Sequence, residues 1–317
     1  MIRLLITRPI AEPVIAQARA HFDVTVSEAG ALDPAAAGEA LQCYDAILPT
    51  LGDLFSAEAF EAAAGHMRCK ILGNFGVGYN HIDVTAAKAA GVQVTNTPDV
   101  LTDATADIAL TLLLATARRA GEGERLVRSG KWGGFGPKDL LGTQVTGKTV
   151  AIIGMGRIGQ AIARRCHFGF GMDVVFYNRS TKAVDVPATQ LPSLHAAMGA
   201  ADFVVVATPG GAQTTHLINA DALAAMQPSG IFINISRGEV VDETALIAAL
   251  QAGQIAGAGL DVYENEPVVP DALKAMDNCV LLPHLGSATR ETRQAMGQMA
   301  LDNIIAWSQG RKPPQLI

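Results

Sequence analysis

Residues 150–165 read VAIIGMGRIGQAIARR: an apolar, β-branched run, a glycine turn, and then apolar side chains at helical spacing. Gly154, Gly156 and Gly159 satisfy G-x-G-x-x-G, and Ile158, Ile162 and Cys166 recur at every fourth position behind the turn. Alone, three glycines mark only a strand–helix connection. In this context each has a physical task. Gly154 permits the tight turn, Gly156 lets the backbone approach a pyrophosphate, and Gly159 lets the helix pack closely on the strand. The N–H groups of the turn, which also contains Met155, Arg157 and Ile158, then face the phosphates together with the positive end of the helix dipole. The stretch predicts a dinucleotide-binding βαβ unit.

About two dozen residues further on, such a unit usually places an acidic side chain that reads a ribose. Here VVFYNRS (174–180) ends in Asn178, Arg179 and Ser180. A carboxylate at that point would bond a 2′-hydroxyl and repel a 2′-phosphate. Asn178 carries no charge, Arg179 can fork two hydrogen bonds onto phosphate oxygens, and Ser180 adds a donor. The expectation is NADP(H) in preference to NAD(H).

The same alternation extends in both directions. Apolar runs at 4–7, 22–26, 46–49, 69–74 and 92–95 are separated by helical patterns at 13–20, 34–41, 56–64 and 84–90. A second set of runs lies at 149–153, 173–177, 203–207, 231–235, 257–261 and 280–282. Alternation of this kind implies βαβ units and parallel sheets. Two α/β lobes are expected, with a helix at 103–119 crossing between them and a closing helix at 288–307.

The totals narrow the function. A chain of 317 residues has room for about two domains. With 24 basic and 30 acidic side chains the net charge is −6, which argues against nucleic acid or an anionic membrane as partner. The four cysteines are scattered, with no C-x-x-C, and H-E-x-x-H is absent; neither a disulfide scaffold nor a metal site is expected. The N-terminus has too short an apolar run for a signal peptide. The longest apolar run, 108–117, is half of what a bilayer requires. The reading is a reduced, cytoplasmic protein.

Ligands of open parallel sheets bind beyond the carboxyl ends of the strands. There the second lobe presents Arg237 in IFINISRGE, Glu266 in GAGLDVYENEP and His284 in CVLLPHLGSAT. Singly these are ordinary surface residues. Jointly they supply what reduction of a 2-keto acid needs. Arg237 clamps the carboxylate and polarises the keto oxygen, His284 donates the proton, and Glu266 orients the imidazole and favours its charged form.

With those residues in view, the chain resembles the D-isomer-specific 2-hydroxyacid dehydrogenases over nearly its full length, most of all the glyoxylate/hydroxypyruvate reductase branch. The matching motifs are NFGVGYNHID (74–83), ATADIALTLLL (104–114), GKTVAIIGMGRIGQAIARR (147–165), NISRGEVVDETALIAAL (234–250), GAGLDVYENEP (257–267) and LLPHLGSAT (281–289). The resemblance implies a discontinuous, flavodoxin-like substrate domain (1–98 and 287–317) into which a Rossmann cofactor domain (99–286) is inserted. It implies that the N–H groups of Val77 and Gly78 bind substrate carboxylate, and that Leu51 forms an apolar wall near the substrate. It places Asp261 on the nicotinamide carboxamide, Thr105, Ile235 and Gly286 along the cofactor, and Thr208 and Pro209 beside its adenosine half. Relatives are commonly dimers in which the region of KWGGFG (131–136) reaches the partner; Phe135 stands where some relatives carry Trp. The expected activity is NADPH-dependent reduction of glyoxylate and hydroxypyruvate. The alternatives are another 2-hydroxyacid substrate class and a dinucleotide-sensing, corepressor-like binding protein. The short termini and Arg179 weigh against the second alternative.

Overall fold

A computed structural model of the chain describes residues Met1–Ile317. The chain divides into two compact units, one formed by Met1–Leu101 with Ser287–Ile317, the other by Thr102–Gly286.

In the first unit the chain runs β1 (Arg3–Ile6), α1 (Glu12–His21), β2 (Asp23–Val26), α2 (Pro34–Cys43), β3 (Ala46–Leu48), α3 (Ala57–Ala62), β4 (Ile71–Gly73), α4 (Val84–Ala89) and β5 (Gln93–Thr95). All five strands are parallel, in the order β2-β1-β3-β4-β5, the flavodoxin-like arrangement. β3 and β4 are buried along their whole length, as strands covered on both faces must be. Asp33 and Asp83 accept the N–H groups of Ala36 and Ala86 at 2.8 Å and so cap α2 and α4.

The second unit continues with α5 (Thr102–Ala117), α6 (Ala120–Arg128), β6 (Thr149–Ile153), α7 (Arg157–Arg164), β7 (Asp173–Tyr177), β8 (Thr189–Gln190), α8 (Leu194–Gly199) and β9 (Phe203–Val206). Then come α9 (Ala220–Ala224), β10 (Ile231–Asn234), α10 (Glu243–Gln251), β11 (Gly257–Leu260), α11 (Asp271–Lys274) and β12 (Cys279–Leu281). Its parallel sheet has the order β12-β11-β10-β9-β6-β7-β8, the doubly wound Rossmann order extended by one strand. The strand order reverses at β6 and β9, the position where such sheets bind ligands.

The helix expected to cross between lobes does not do so. All of α5 belongs to the second unit, where it packs on α7, β10, β11 and β12. Most of it between Ala104 and Ala117 is buried there, with Asp107 and Thr111 left exposed. The closing helix α12 (Arg290–Ser308) belongs to the first unit and packs on α1, β3 and β4. It approaches β4 so closely that a Cβ on Gly73 would lie 2.7 Å from Ile304 Cδ1. No helix is long and apolar enough to cross a membrane.

Candidate functional site

The glycine turn sits at the reversal point. Gly154 follows β6 with φ +99°, a left-handed value that favours glycine. A Cβ there would lie 2.9 Å from Ala207 and from Thr208 Cγ2, the residues just past β9. At Gly159 a Cβ would overlap the carbonyl of Gly154. Gly156 differs: nothing lies within 4 Å of the side it would fill. That open side, at the N-terminus of α7, is what a phosphate group needs to reach backbone N–H groups. The Thr208 hydroxyl is buried without a partner, a further polar atom suited to a ligand. Met155 and Ile235 direct their side chains into the core, with Ile158 packed against it. Any contact they make with a ligand from the solvent side is therefore mainly through the backbone.

At the end of β7, the Asn178 amide donates to the Ser180 carbonyl and hydroxyl at 3.1 and 3.3 Å. Gln190 ties the carbonyls of Asn178 and Ser180 from the neighbouring strand β8. Arg179 is exposed, and its guanidinium bonds Gln213. Gln213 belongs to the loop that begins with Thr208 and Pro209, so the loops after β7 and β9 meet at this arginine. The sequence reading missed Gln213 and Gln190, which carry no motif.

A second cluster gathers beyond β10, β11 and β12, which are neighbours in the sheet with Asn234, Leu260 and Leu281 in register. Equal strand ends deliver Arg237, Asp261 with Glu266, and His284 to one edge. His284 Nδ1 bonds Glu266 Oε2 at 2.8 Å, and the other carboxylate oxygen accepts the Tyr263 N–H at 3.0 Å. The imidazole is thus held through Nδ1, and Nε2 has no partner in the chain. Burial pushes the Glu266 carboxyl up, but the bond and charge of His284, the Tyr263 N–H and the charge of Arg237 outweigh it and hold the group below the usual carboxylate range. Arg237 is largely buried and bonds the Ser236 carbonyl at 2.7 Å. Burial draws its pKa down, opposed by Glu266 and Glu239; a guanidinium stays charged under that pull.

Asp261 accepts the N–H groups of Leu285 at 2.6 Å and Gly286 at 2.8 Å, while its own carbonyl takes the His284 N–H. Burial raises its carboxyl despite those bonds. His284 has φ +54°, a left-handed conformation that costs a non-glycine residue about 1 kcal/mol. The Asp261 bonds brace the segment that carries it. Thr105 lies beside this segment, within 3.5 Å of where a Cβ on Gly286 would stand. Gly238 is the least obvious member. A Cβ on it would overlap the Tyr263 backbone, so only glycine lets the Arg237 loop lie against the Glu266 loop. The SRGE motif contains the signal, but the clash partner is distant in sequence.

The remaining expected residues lie in the first unit. Leu51 is partly exposed, on a turn organised by Asp53, which is fully buried. Asp53 accepts from Thr7 Oγ1 at 2.6 Å, the Thr50 N–H at 2.7 Å and the Leu32 N–H at 3.0 Å. Val77 and Gly78 lie in the loop after β4, and their N–H groups make no hydrogen bond in the chain.

Residues 110–286 match the family model described as D-isomer specific 2-hydroxyacid dehydrogenase, NAD binding domain. Glyoxylate reductase of Thermococcus onnurineus is 45% identical over 99% of this chain and 95% of that protein. The chain belongs to the D-isomer specific 2-hydroxyacid dehydrogenases. Solved structures of similar chains agree with the fold. The TT0316 protein of Thermus thermophilus superimposes with a TM-score of 0.92 at 39% identity, each chain fully covered. The NADPH-dependent glyoxylate/hydroxypyruvate reductase of Sinorhizobium meliloti, solved with NADP and malonate, gives 0.89 at 38% identity over all of this chain and 96% of the other. The family assignment makes this chain an oxidoreductase with a nicotinamide dinucleotide as cofactor, and the glycine turn fits one.

Proposed function

We propose that this dehydrogenase reduces small 2-keto acids, glyoxylate and hydroxypyruvate, to 2-hydroxy acids with NADP(H). The observation that carries the reading is an imidazole fixed through Nδ1 on Glu266, with Nε2 open and Arg237 beside the pair. The names of the Thermococcus and Sinorhizobium relatives support the substrates.

The cofactor would lie along the turn Gly154–Gly159 (Gly154, Met155, Gly156, Arg157, Ile158, Gly159), past Thr208, Pro209 and Ile235, toward Thr105, Asp261 and Gly286. When bound it supplies the hydride. The protein does the rest. Arg237 pairs with the anionic substrate, and its charge draws electron density toward the keto oxygen. In the first unit, the N–H groups of Val77 and Gly78 are the donors suited to a carboxylate. His284 delivers the proton to that oxygen from Nε2, and Glu266 holds the ring and balances the imidazolium. Asp261 keeps one lone pair free on each oxygen for the nicotinamide carboxamide. Leu51 would limit the size of the substrate side chain. On this reading the first unit, with boundaries near 1–98 and 287–317, binds substrate, and the stretch 99–286 binds cofactor.

NADP(H) preference rests on the absence of a carboxylate after β7 and on Arg179. Following NADPH and NADH oxidation with glyoxylate, hydroxypyruvate and pyruvate tests the whole reading. Turnover with glyoxylate is expected, and none on any 2-keto acid would leave a binding protein. Arg179→Asp should lower the NADPH-to-NADH ratio of kcat/KM by about tenfold or more, since a charge-assisted pair is replaced by repulsion; an unchanged ratio would remove Arg179 from the cofactor site.

A second copy of the chain is the proposed partner. α6 buries none of its residues, and Val127, Trp132, Phe135 and Leu141 in and after it are 59–91% exposed. An apolar surface of that density marks an association site. A monomer by light scattering at working concentration would exclude it.

A further inference from the structure

The loop after β4 is built in an unusual way. The carbonyls of Gly76, Val77 and Gly78 are all held by the protein. Asn74, fully buried at the strand end, donates its side-chain amide to the carbonyls of Gly76 and Gly78, both at 3.0 Å. Asn96, just past β5, donates to the Val77 carbonyl at 2.9 Å, and the Thr97 N–H takes the Gly76 carbonyl a second time at 2.9 Å. Carbonyls only accept, so these contacts fix which end of each amide carries nitrogen. Asn74 Oδ1 then faces His81 Nε2 at 3.0 Å and must accept from it, which locks the Asn74 amide plane.

The N–H groups behave in the opposite way. Those of Val77, Gly78 and Tyr79 make no hydrogen bond in the chain. Three successive backbone donors without partners, next to three carbonyls that are all occupied, form a receptor for an anion. Left alone, a glycine-rich loop would rotate its peptide planes freely and present donor and acceptor edges in turn. Two asparagines on adjacent strands remove that freedom.

We infer that Asn74 and Asn96 are positioning residues for substrate recognition: they hold the loop carbonyls away so that the amides of 77–79 converge on the substrate's carboxylate. The inference rests on the proposed reading of the loop as a carboxylate-binding element and extends it to side chains that touch no substrate. A peptide plane turned outward would set a carbonyl dipole against the anion. Losing one asparagine therefore weakens carboxylate binding more than any other step.

Asn96→Ala is the primary test, because Asn96 is only half-buried and its loss removes a single side-chain bond to the loop. Asn74→Ala is the second, checked for folding by its thermal melt. Inhibition by oxamate, an unreactive 2-keto acid analogue, is measured for each, with KM and kcat for glyoxylate and for methyl glyoxylate, which has the same carbonyl without the charge. The oxamate inhibition constant and the KM for glyoxylate should rise about tenfold or more, with kcat much less affected and the loss confined to ligands carrying a carboxylate. Asn96→Ser, which restores a donor at shorter reach, should recover part of the effect.

Equal losses on both substrates, or an oxamate constant unchanged in a folded Asn96→Ala protein, would overturn the inference and leave the activity standing. If the parent protein neither reduces glyoxylate nor binds oxamate, the functional reading itself is wrong and the inference falls with it.

Discussion

The second unit contains two histidine–carboxylate pairs that nearly coincide in geometry. His284 meets Glu266 at 2.8 Å, and His216 meets Glu264 at 2.7 Å. Both histidines have left-handed backbones, with φ of +54° and +50°. Their surroundings differ. The first pair has Arg237 as a neighbour, and its carboxylate spends its second oxygen on a backbone N–H. The second stands in solvent, and the charges acting on His216, from Glu264 and Asp242, are both acidic. A short imidazole–carboxylate bond and a left-handed backbone are thus common to both pairs, and what sets the first apart is a cationic neighbour at a strand end. On the proposed reading that cation is what fixes an anionic substrate where the proton must arrive.

The largest effect should come from deleting the two imidazoles. His284→Ala is expected to lower kcat/KM for glyoxylate by about a hundredfold to ten-thousandfold, the usual contribution of a general acid. His216→Ala should leave it within about twofold, as for a solvated side chain away from the chemistry. Comparable losses in steady-state assays would dissolve the distinction.

A smaller effect separates the carboxylates. Glu266 is held below the ordinary carboxylate range, so it is ionised wherever an imidazole titrates. Its charge holds the His284 ring, and Glu266→Gln keeps the shape while removing that charge. kcat/KM for glyoxylate should then fall by roughly tenfold at neutral pH, about the worth of one charge-assisted hydrogen bond. Glu264→Gln should leave kcat/KM within about twofold. Equal rates for Glu266→Gln and the parent would count against the first pairing.

The smallest effect is on stability. The His216 pKa is raised, chiefly by its bond to Glu264. A group raised in the folded state stabilises fully below its unfolded value and loses that contribution as pH rises through the folded one. Glu264→Gln should therefore lower Tm slightly at pH 5.5 and leave it unchanged at pH 9. A deficit that grew with pH would reverse the sign of this assignment.

Much of this was legible in the chain. The β-branched runs located every strand of more than two residues, with ends shifted by one or two positions. β8, of two residues, has too little pattern to read. α6 was hidden for a different reason: it buries nothing, so no core-facing stripe announces it, and the glycines after it suggest only a turn. Arg237, Glu266 and His284 could be named from motif and strand end. Their meeting depends on β10, β11 and β12 being neighbours, which strand order decides. Gly238 against Tyr263, and Asn74 holding Gly78, are contacts of backbone with side chain or backbone that no periodicity encodes.

The return of α12 to β4 has a consequence for how the protein is made. The first hundred residues leave the ribosome early, yet the face of Gly73 stays uncovered until Ala300 and Ile304 have been synthesised. The edge strand β5 likewise waits for the last residues, whose Ile317 N–H closes on Val94. The contiguous unit Thr102–Gly286 has no such dependence. Nascent chains should thus acquire protease resistance from the middle outward, with the N-terminal segment maturing last although it emerges first.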